Sequence, residues 1–202
     1  MIEELNVVPE YNSTNPVVRW VFNRRLKITG DWLFSSRDSV LLDVGCGSGE
    51  LLNHLKDLRL SFKKVYAIDT IPEVERLNGK FDGCEFLRQD ITSTKFHSEQ
   101  FDAVTCLDVL EHIPQIDTAL SEIYRLLKSG GRLIISAPTE NFLYKLGRFF
   151  LKGTFSSETA PVAGKHFYNS EIVFQKTVEN GFKLLDNRNL LCLFRLGLFI
   201  KE

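Results

Sequence analysis

The sequence predicts an α/β fold built around a mostly parallel sheet, and three features of the chain indicate it. Strand-like and helix-like segments alternate from about residue 40 to residue 138, as in a parallel sheet with helical crossovers. The first strand runs into a glycine-rich turn that opens a helix. The chain then ends in two strand-like runs whose short link permits antiparallel pairing, whereas a parallel pair needs a crossover. We therefore expect seven strands, the last two forming an antiparallel hairpin.

Apolar runs and helical spacing define the elements of the regular part. Five apolar runs predict the parallel strands, over residues 40–44, 65–69, 84–89, 101–107 and 132–137. Leucines on one helical face predict a helix over 48–58. The same spacing predicts a helix over 117–127 that Gly130 and Gly131 stop. A short helix over 72–77 begins with a proline, which a first helical turn tolerates.

The N-terminal part stands outside this alternation. We expect residues 1–31 to form a helical extension and residues 32–202 to form the main domain. Asn15 is a favourable helix cap, and the proline that follows it suits a first helical position, so a helix from Pro16 to about Leu26 is predicted. Its apolar side is expected to pack over the ligand cleft.

The C-terminal part returns to regular structure after a long connection. A helix is predicted over 170–180 and stopped by Gly181, followed by strands over 182–187 and 191–200 with a link near Asn189.

Residues 139–168 form an insertion that we expect to be a substrate lid, since long irregular connections are often functional. Within it, residues 141–152 place phenylalanines and leucines on one face and Lys145, Arg148 and Lys152 on another. This pattern is also typical of a helix that lies on a membrane surface. Peripheral membrane contact and a lipid-linked acceptor therefore stay open.

Composition limits the class of protein. The chain has 202 residues, of which 44% are hydrophobic and 25% charged, the mixture of a soluble globular domain. A net charge of −1 provides no overall basic field for nucleic acid, so no nucleic-acid partner is expected. The four cysteines lack metal-binding spacing, and we expect reduced thiols and no metal site. With no signal-like or spanning apolar segment apparent, a cytoplasmic location is expected.

Three acidic residues lie at the ends of the first three predicted strands. Asp43 precedes the turn at residues 45–49, hereafter the glycine turn, whose G-x-G-x-G spacing differs from the G-x-G-x-x-G of dinucleotide sites. An acid there disfavours a phosphate and suits an ammonium group. Asp69 lies about 20 residues beyond the turn, where an acid binds ribose hydroxyls. Asp90 is placed to accept from an exocyclic amine while Ile91 packs on a purine ring.

Together these segments resemble the class I S-adenosylmethionine-dependent methyltransferases. The matching segments span about residues 40–138 in the family's order, and they are LLDVGCGSGE, AIDT, FLRQDI, FDAVTCLDVLEHI and LLKSGGRLIISAP. The resemblance implies a Rossmann-like fold with helices on both faces and S-adenosylmethionine as the cofactor.

The resemblance also implies which residues hold that cofactor. The glycine turn, with Gly45, Cys46, Gly47 and Gly49, would hold the methionine part together with Asp43. Asp69 would bind the ribose, with Thr70 beside it, and Asp90 and Ile91 would hold the adenine. The backbone near Leu107 would border the methionine amino group.

Two histidines are candidates for the acceptor side. His112 follows the fourth predicted strand and His166 precedes the late helix, and the ordinary pKa of an imidazole, about 6.5, suits proton transfer near neutral pH. His112 also suits a structural role beside the cofactor, and His166 suits a surface position.

The resemblance thus implies an enzyme that methylates an O or C nucleophile of a small molecule, similar to the quinone-biosynthesis methyltransferases. Quinone precursors, sugars, polyketide-like metabolites and lipid-linked glycans all stay open as acceptors. A protein or nucleic-acid methyltransferase and a non-catalytic cofactor-binding module are the alternatives. A dinucleotide oxidoreductase is disfavoured by the glycine spacing and by Asp43.

Overall fold

The computed structural model describes residues 11, 13–33, 38–139 and 165–202. Seven strands form one sheet in the order β3-β2-β1-β4-β5-β7-β6. Their bounds are β1 Val40–Val44, β2 Lys64–Asp69, β3 Cys84–Arg88, β4 Phe101–Leu107, β5 Leu127–Pro138, β6 Phe182–Leu190 and β7 Phe194–Lys201. The first five strands are parallel, and β7 pairs antiparallel with both β5 and β6. The predicted fold class is therefore confirmed.

Helices cover both faces of this sheet. The α-helices of the described residues are α1 Pro16–Trp32, α2 Glu50–Asp57, α3 Ile116–Leu126 and α4 Ser170–Glu179, and short 3-10 turns occupy Val74–Leu77 and Leu110–His112. None of the helices in this part of the chain has the length and apolar character needed to cross a bilayer.

Side chains that alternate along the strands build the core on the two faces. Leu41 and Leu42, neighbours in β1, are both fully buried. Leu42 joins a cluster with Ile123 of α3 and Val173 of α4, whereas Leu41 joins a cluster with Leu52 of α2. Successive residues of a strand point to opposite faces, so β1 needs apolar residues at consecutive positions.

The N-terminal helix begins as predicted and extends further. The Asn15 side chain accepts hydrogen bonds from the N–H groups of Val17 and Val18, at 3.0 and 3.5 Å. The helix continues past Leu26 to Trp32, because its second half packs against α2. A Cβ at Gly30 would lie 2.5 Å from Leu58 Cδ1, so the helices approach closely at this glycine.

The start of β5 differs from the prediction that two glycines stop the preceding helix. The helix α3 ends at Leu126, and β5 begins at once with Leu127, which pairs with Phe101 of β4. The next pair joins Arg132 to Ala103, so β5 carries a bulge. Gly130, with φ +73°, lies in this bulge, where a left-handed residue is favourable.

The C-terminal hairpin turns two residues later than predicted. The central residues of the turn, Leu191 and Cys192, have φ of +50° and +56°, and Leu193 N–H donates to Leu190 O at 2.9 Å. Two left-handed residues give the twist that a tight hairpin needs. Cys192 is exposed at the tip of this turn.

The predicted lid lies mostly outside the described residues. Residues 140–164, including the basic and aromatic side chains of residues 141–152, are not among them. The lid and its membrane contact therefore stay predictions.

Candidate functional site

The carboxyl ends of four parallel strands meet at one edge of the sheet, hereafter the carboxyl edge. The glycine turn follows β1, Asp69 ends β2, Asp90 follows β3 and Leu107 ends β4. Strand order reverses between β1 and β4, the place where open α/β sheets form a ligand crevice. The structure thus brings the predicted cofactor residues to a single edge.

The glycine turn has little room for side chains. Gly45, Gly47 and Gly49 have φ of +69°, +52° and +87°, in the left-handed region. A Cβ at Gly45 would lie 2.2 Å from Val109 Cγ2. The N–H of Gly45 donates to Ile68 O at 2.8 Å, so β2 holds the start of the turn. Glycine is required here by both conformation and space.

Asp69 links the end of β2 to this turn. Its Oδ2 accepts from Gly47 N–H at 3.0 Å and its Oδ1 accepts from Ile71 N–H at 3.2 Å. Each carboxylate oxygen has a second lone pair, so the group can still accept hydroxyl hydrogen bonds. The carboxylate is therefore fixed in orientation.

Asp43 lies deeper than the other acids. It is only 3% exposed, and the Thr105 hydroxyl donates to its Oδ1 at 2.7 Å. The pKa of Asp43 is raised to about 7, chiefly by burial and also by the nearby charges of Glu50 and Asp69, while the Thr105 hydrogen bond lowers it. A cation bound beside this carboxyl would favour its ionised form.

The other predicted cofactor residues border this region with different exposure. Asp90 is exposed, and its Oδ1 accepts from the N–H and hydroxyl of Thr92, both at 2.8 Å. Ile91 and Cys46 are buried at 4% and 5% exposure, and burial raises the pKa of the Cys46 thiol. Thr70 is exposed and Leu107 is half-buried.

An ion pair that the sequence analysis missed lies at the end of β4. Asp108 has φ +56°, pairs with Arg25 of α1, and accepts from the Ser136 hydroxyl at 2.7 Å. Arg25 is 2% exposed, and its guanidinium lies 4.2 Å from the ring centroids of both Phe22 and Phe194. Burial is the largest single influence and disfavours this charge, but Asp108 and Tyr11 together outweigh burial and raise the pKa of Arg25.

The two candidate histidines lie together. The ring centroids of His112 and His166 are 4.7 Å apart, with an interplanar angle of 66°. Glu111 joins them, and one ligand atom of each of the three residues lies within 4.8 Å of the others. The sequence analysis named both histidines but not Glu111, since nothing in the local sequence pattern indicates that the distant His166 returns to this turn.

The sequence comparisons agree with the fold. Residues 42–135 match the model of a methyltransferase domain. The chain is 28% identical over 168 residues to a ubiquinone/menaquinone biosynthesis C-methyltransferase UbiE of Sinorhizobium fredii, covering 79% of this chain and 64% of that protein. It is 34% identical over 131 residues to a ubiquinone biosynthesis O-methyltransferase of Xanthomonas oryzae pv. oryzae, covering 62% of this chain and 50% of that protein. The chain therefore spans less than two thirds of the length of these relatives.

The solved structures give the same result at the level of the fold. The N-methyltransferase NodS from Bradyrhizobium japonicum, in complex with S-adenosyl-L-homocysteine, superposes with a TM-score of 0.67 at 18% identity, covering 96% of this chain and 91% of that one. The domain match over residues 42–135, the sheet topology and the glycine turn agree, and this part of the chain is similar to the class I S-adenosylmethionine-dependent methyltransferases.

Proposed function

We propose that the protein is an enzyme that transfers the methyl group of S-adenosylmethionine to an O or C nucleophile of a small molecule. One observation carries the proposal: the glycine turn, Asp43 and Asp69 lie together where the strand order reverses. A turn in which a Cβ at Gly45 would overlap Val109 suits a ligand that approaches the backbone closely.

The residues of this edge fit the chemistry of the cofactor. Asp43 and the glycine turn would hold the methionine part, bordered by Leu107. Asp69, beside Thr70, would accept from the ribose hydroxyls. Asp90 and Ile91 would hold the adenine.

When bound, the cofactor supplies a methyl group on a positively charged sulfur. Transfer breaks the sulfur–carbon bond, leaves its electron pair on sulfur and forms a bond from the methyl carbon to the acceptor. The main task of the protein is therefore alignment, which lowers a barrier by about 7–11 kcal/mol in favourable cases.

We assign the acceptor side to His166 and His112. Both imidazoles are half-buried. Val109, three residues before His112, contacts the glycine turn at Gly45, so His112 lies close to this turn. A neutral imidazole there would take the proton that a hydroxyl acceptor loses on methylation. The relatives named for quinone biosynthesis, one a C-methyltransferase and one an O-methyltransferase, support an aromatic hydroxylated acceptor.

Calorimetry with S-adenosylhomocysteine tests the cofactor site. We expect saturable binding of this product and none of NAD. Replacing Asp69 with alanine should weaken binding by about 1.5–3 kcal/mol, since it removes hydrogen bonds to a charged group. The matched control is Asp82→Ala, an exposed acid away from this edge. Equal affinity of wild type and Asp69→Ala would contradict the site.

A turnover assay tests the reaction. S-adenosylhomocysteine release is measured with a panel of phenols, catechols and quinols. His166→Ala should reduce turnover and keep the affinity for S-adenosylhomocysteine. Binding without turnover on the whole panel would favour a non-catalytic module, and a His166→Ala variant at full rate would remove His166 from the mechanism.

A further inference from the structure

Three side chains next to the carboxyl edge form a donor set for a metal ion. Glu111, His112 and His166 each offer one ligand atom within 4.8 Å of the others. Glu111 is fully buried, and the two histidines are half-buried. The histidine rings meet at 66° rather than stacking face to face.

The backbone fixes this arrangement from both sides. His112 N–H donates to Val109 O at 2.9 Å and closes the 3-10 turn that carries Glu111. Phe167 N–H donates to Glu111 O at 2.8 Å, and this hydrogen bond holds the segment that carries His166 against the turn that carries His112. The Tyr168 hydroxyl donates to Pro114 O at 2.7 Å. A site held by such supports keeps its ligands in place.

The chemistry of the three groups selects the kind of ion. Two imidazoles and one carboxylate suit divalent transition metals such as Zn²⁺, whereas Mg²⁺ and Ca²⁺ prefer sites made of oxygen atoms. Three protein ligands also leave a coordination position for water or for an oxygen of another molecule.

We propose that Glu111, His112 and His166 bind a divalent transition-metal ion of the Zn²⁺ class. The site lies beside the carboxyl edge, since Val109, two residues before Glu111, contacts Gly45 of the glycine turn. A bound cation there would hold an acceptor oxygen and favour its deprotonated form, and with the metal bound the two imidazoles would serve as ligands instead of as proton acceptors. The metal site stands on the three side chains, while its role at the acceptor rests on the proposed function.

Metal titration tests the site without cofactor or acceptor. The protein, in a Cys192→Ser background that removes the exposed thiol, is stripped with a chelator, dialysed and titrated with Zn²⁺ by calorimetry. We expect one ion per chain, and Co²⁺ should give a visible absorption spectrum with bound imidazole. Each of three variants should weaken Zn²⁺ binding at least about tenfold: Glu111→Gln, His112→Ala and His166→Ala. Tenfold is the smaller loss of metal affinity that is typical when a residue that only supports a ligand is replaced.

The control is His97→Ala, which removes an exposed histidine and should leave the Zn²⁺ affinity unchanged. Circular dichroism and S-adenosylhomocysteine binding check that each variant is folded. Absence of a saturable Zn²⁺ site in the wild type, or cluster variants that bind like His97→Ala, would overturn the proposal.

The role at the acceptor has a separate test. Removing the metal should lower turnover and leave S-adenosylhomocysteine affinity unchanged, and added Zn²⁺ should restore turnover. Full turnover of the metal-free enzyme would overturn the role of the metal at the acceptor. Whether the three side chains bind a metal would still be decided by the Zn²⁺ titration. Loss of S-adenosylhomocysteine binding in the metal-loaded wild type would count against the proposed function instead.

Discussion

The buried carboxyl of Asp43 lowers the stability of the ligand-free protein when it is ionised. Its carboxyl is buried, and its pKa of about 7 lies far above the ordinary 3.8. Between these values the native state holds a proton that the unfolded chain has lost. The free energy of unfolding should therefore fall as pH rises through this window, by on the order of 4 kcal/mol.

The first prediction follows from Asp43→Asn. The variant lacks the titrating group, so its free energy of unfolding should change less between pH 4 and pH 7 and exceed that of the wild type at pH 8. Urea denaturation across this range measures both. The same pH dependence in the two proteins would show that Asp43 keeps an ordinary pKa.

A second prediction separates backbone strain from crowding at the glycine turn. Gly45 and Gly79 both have positive φ, so alanine is strained at either position. Only at Gly45 does the new Cβ meet a neighbour, at 2.2 Å from Val109 Cγ2, whereas nothing lies within 4 Å at Gly79. Gly45→Ala should therefore cost about 1–3 kcal/mol more than Gly79→Ala. Equal costs in thermal unfolding would mean that Val109 moves freely aside.

Arg25 attaches α1 to the end of β4. The third prediction is that Arg25→Ala lowers the free energy of unfolding by about 3–5 kcal/mol, because it leaves the Asp108 carboxylate without this cation and removes the contact with two aromatic rings. Arg24→Ala, an exposed neighbour on the same helix, should change it by less than about 0.5 kcal/mol.

A double variant tests the cause. Asn tolerates the left-handed backbone of residue 108 and carries no charge, so Arg25→Ala with Asp108→Asn should recover part of the loss. No recovery would assign the effect to the aromatic contacts instead.

Local sequence patterns located most elements and failed where distant residues meet. The bounds of β1 and β4 match the prediction, because a buried strand is a short apolar run with no competing helical interpretation. The Asn15 cap has a local signal and was found. Arg25 and Asp108 lie 83 positions apart, and their contact depends on how α1 lies across the sheet, which no local pattern encodes. The same reason hid Glu111 from the sequence analysis.

The order of the strands in the sheet predicts which strands are most resistant to local unfolding. The strands β1 and β4 are paired on both sides and buried on both faces, while β3 and β6 are the edges of the sheet and β6 is largely exposed. The fourth prediction is that amides of β1 and β4 exchange with solvent only through global unfolding, and that β3 and β6 exchange faster through local opening. Hydrogen exchange with mass spectrometry measures this, and equal protection of β3 and β4 would contradict it.

The left-handed hairpin turn between β6 and β7 has a practical consequence. It leaves Cys192 exposed near the carboxyl edge, where β7 begins opposite Pro138. The other cysteines are buried or half-buried, and burial raises the pKa of Cys84 to about 12. A maleimide fluorophore should therefore react at one position of the unaltered chain. Its emission would then give an optical signal for molecules that arrive at that edge.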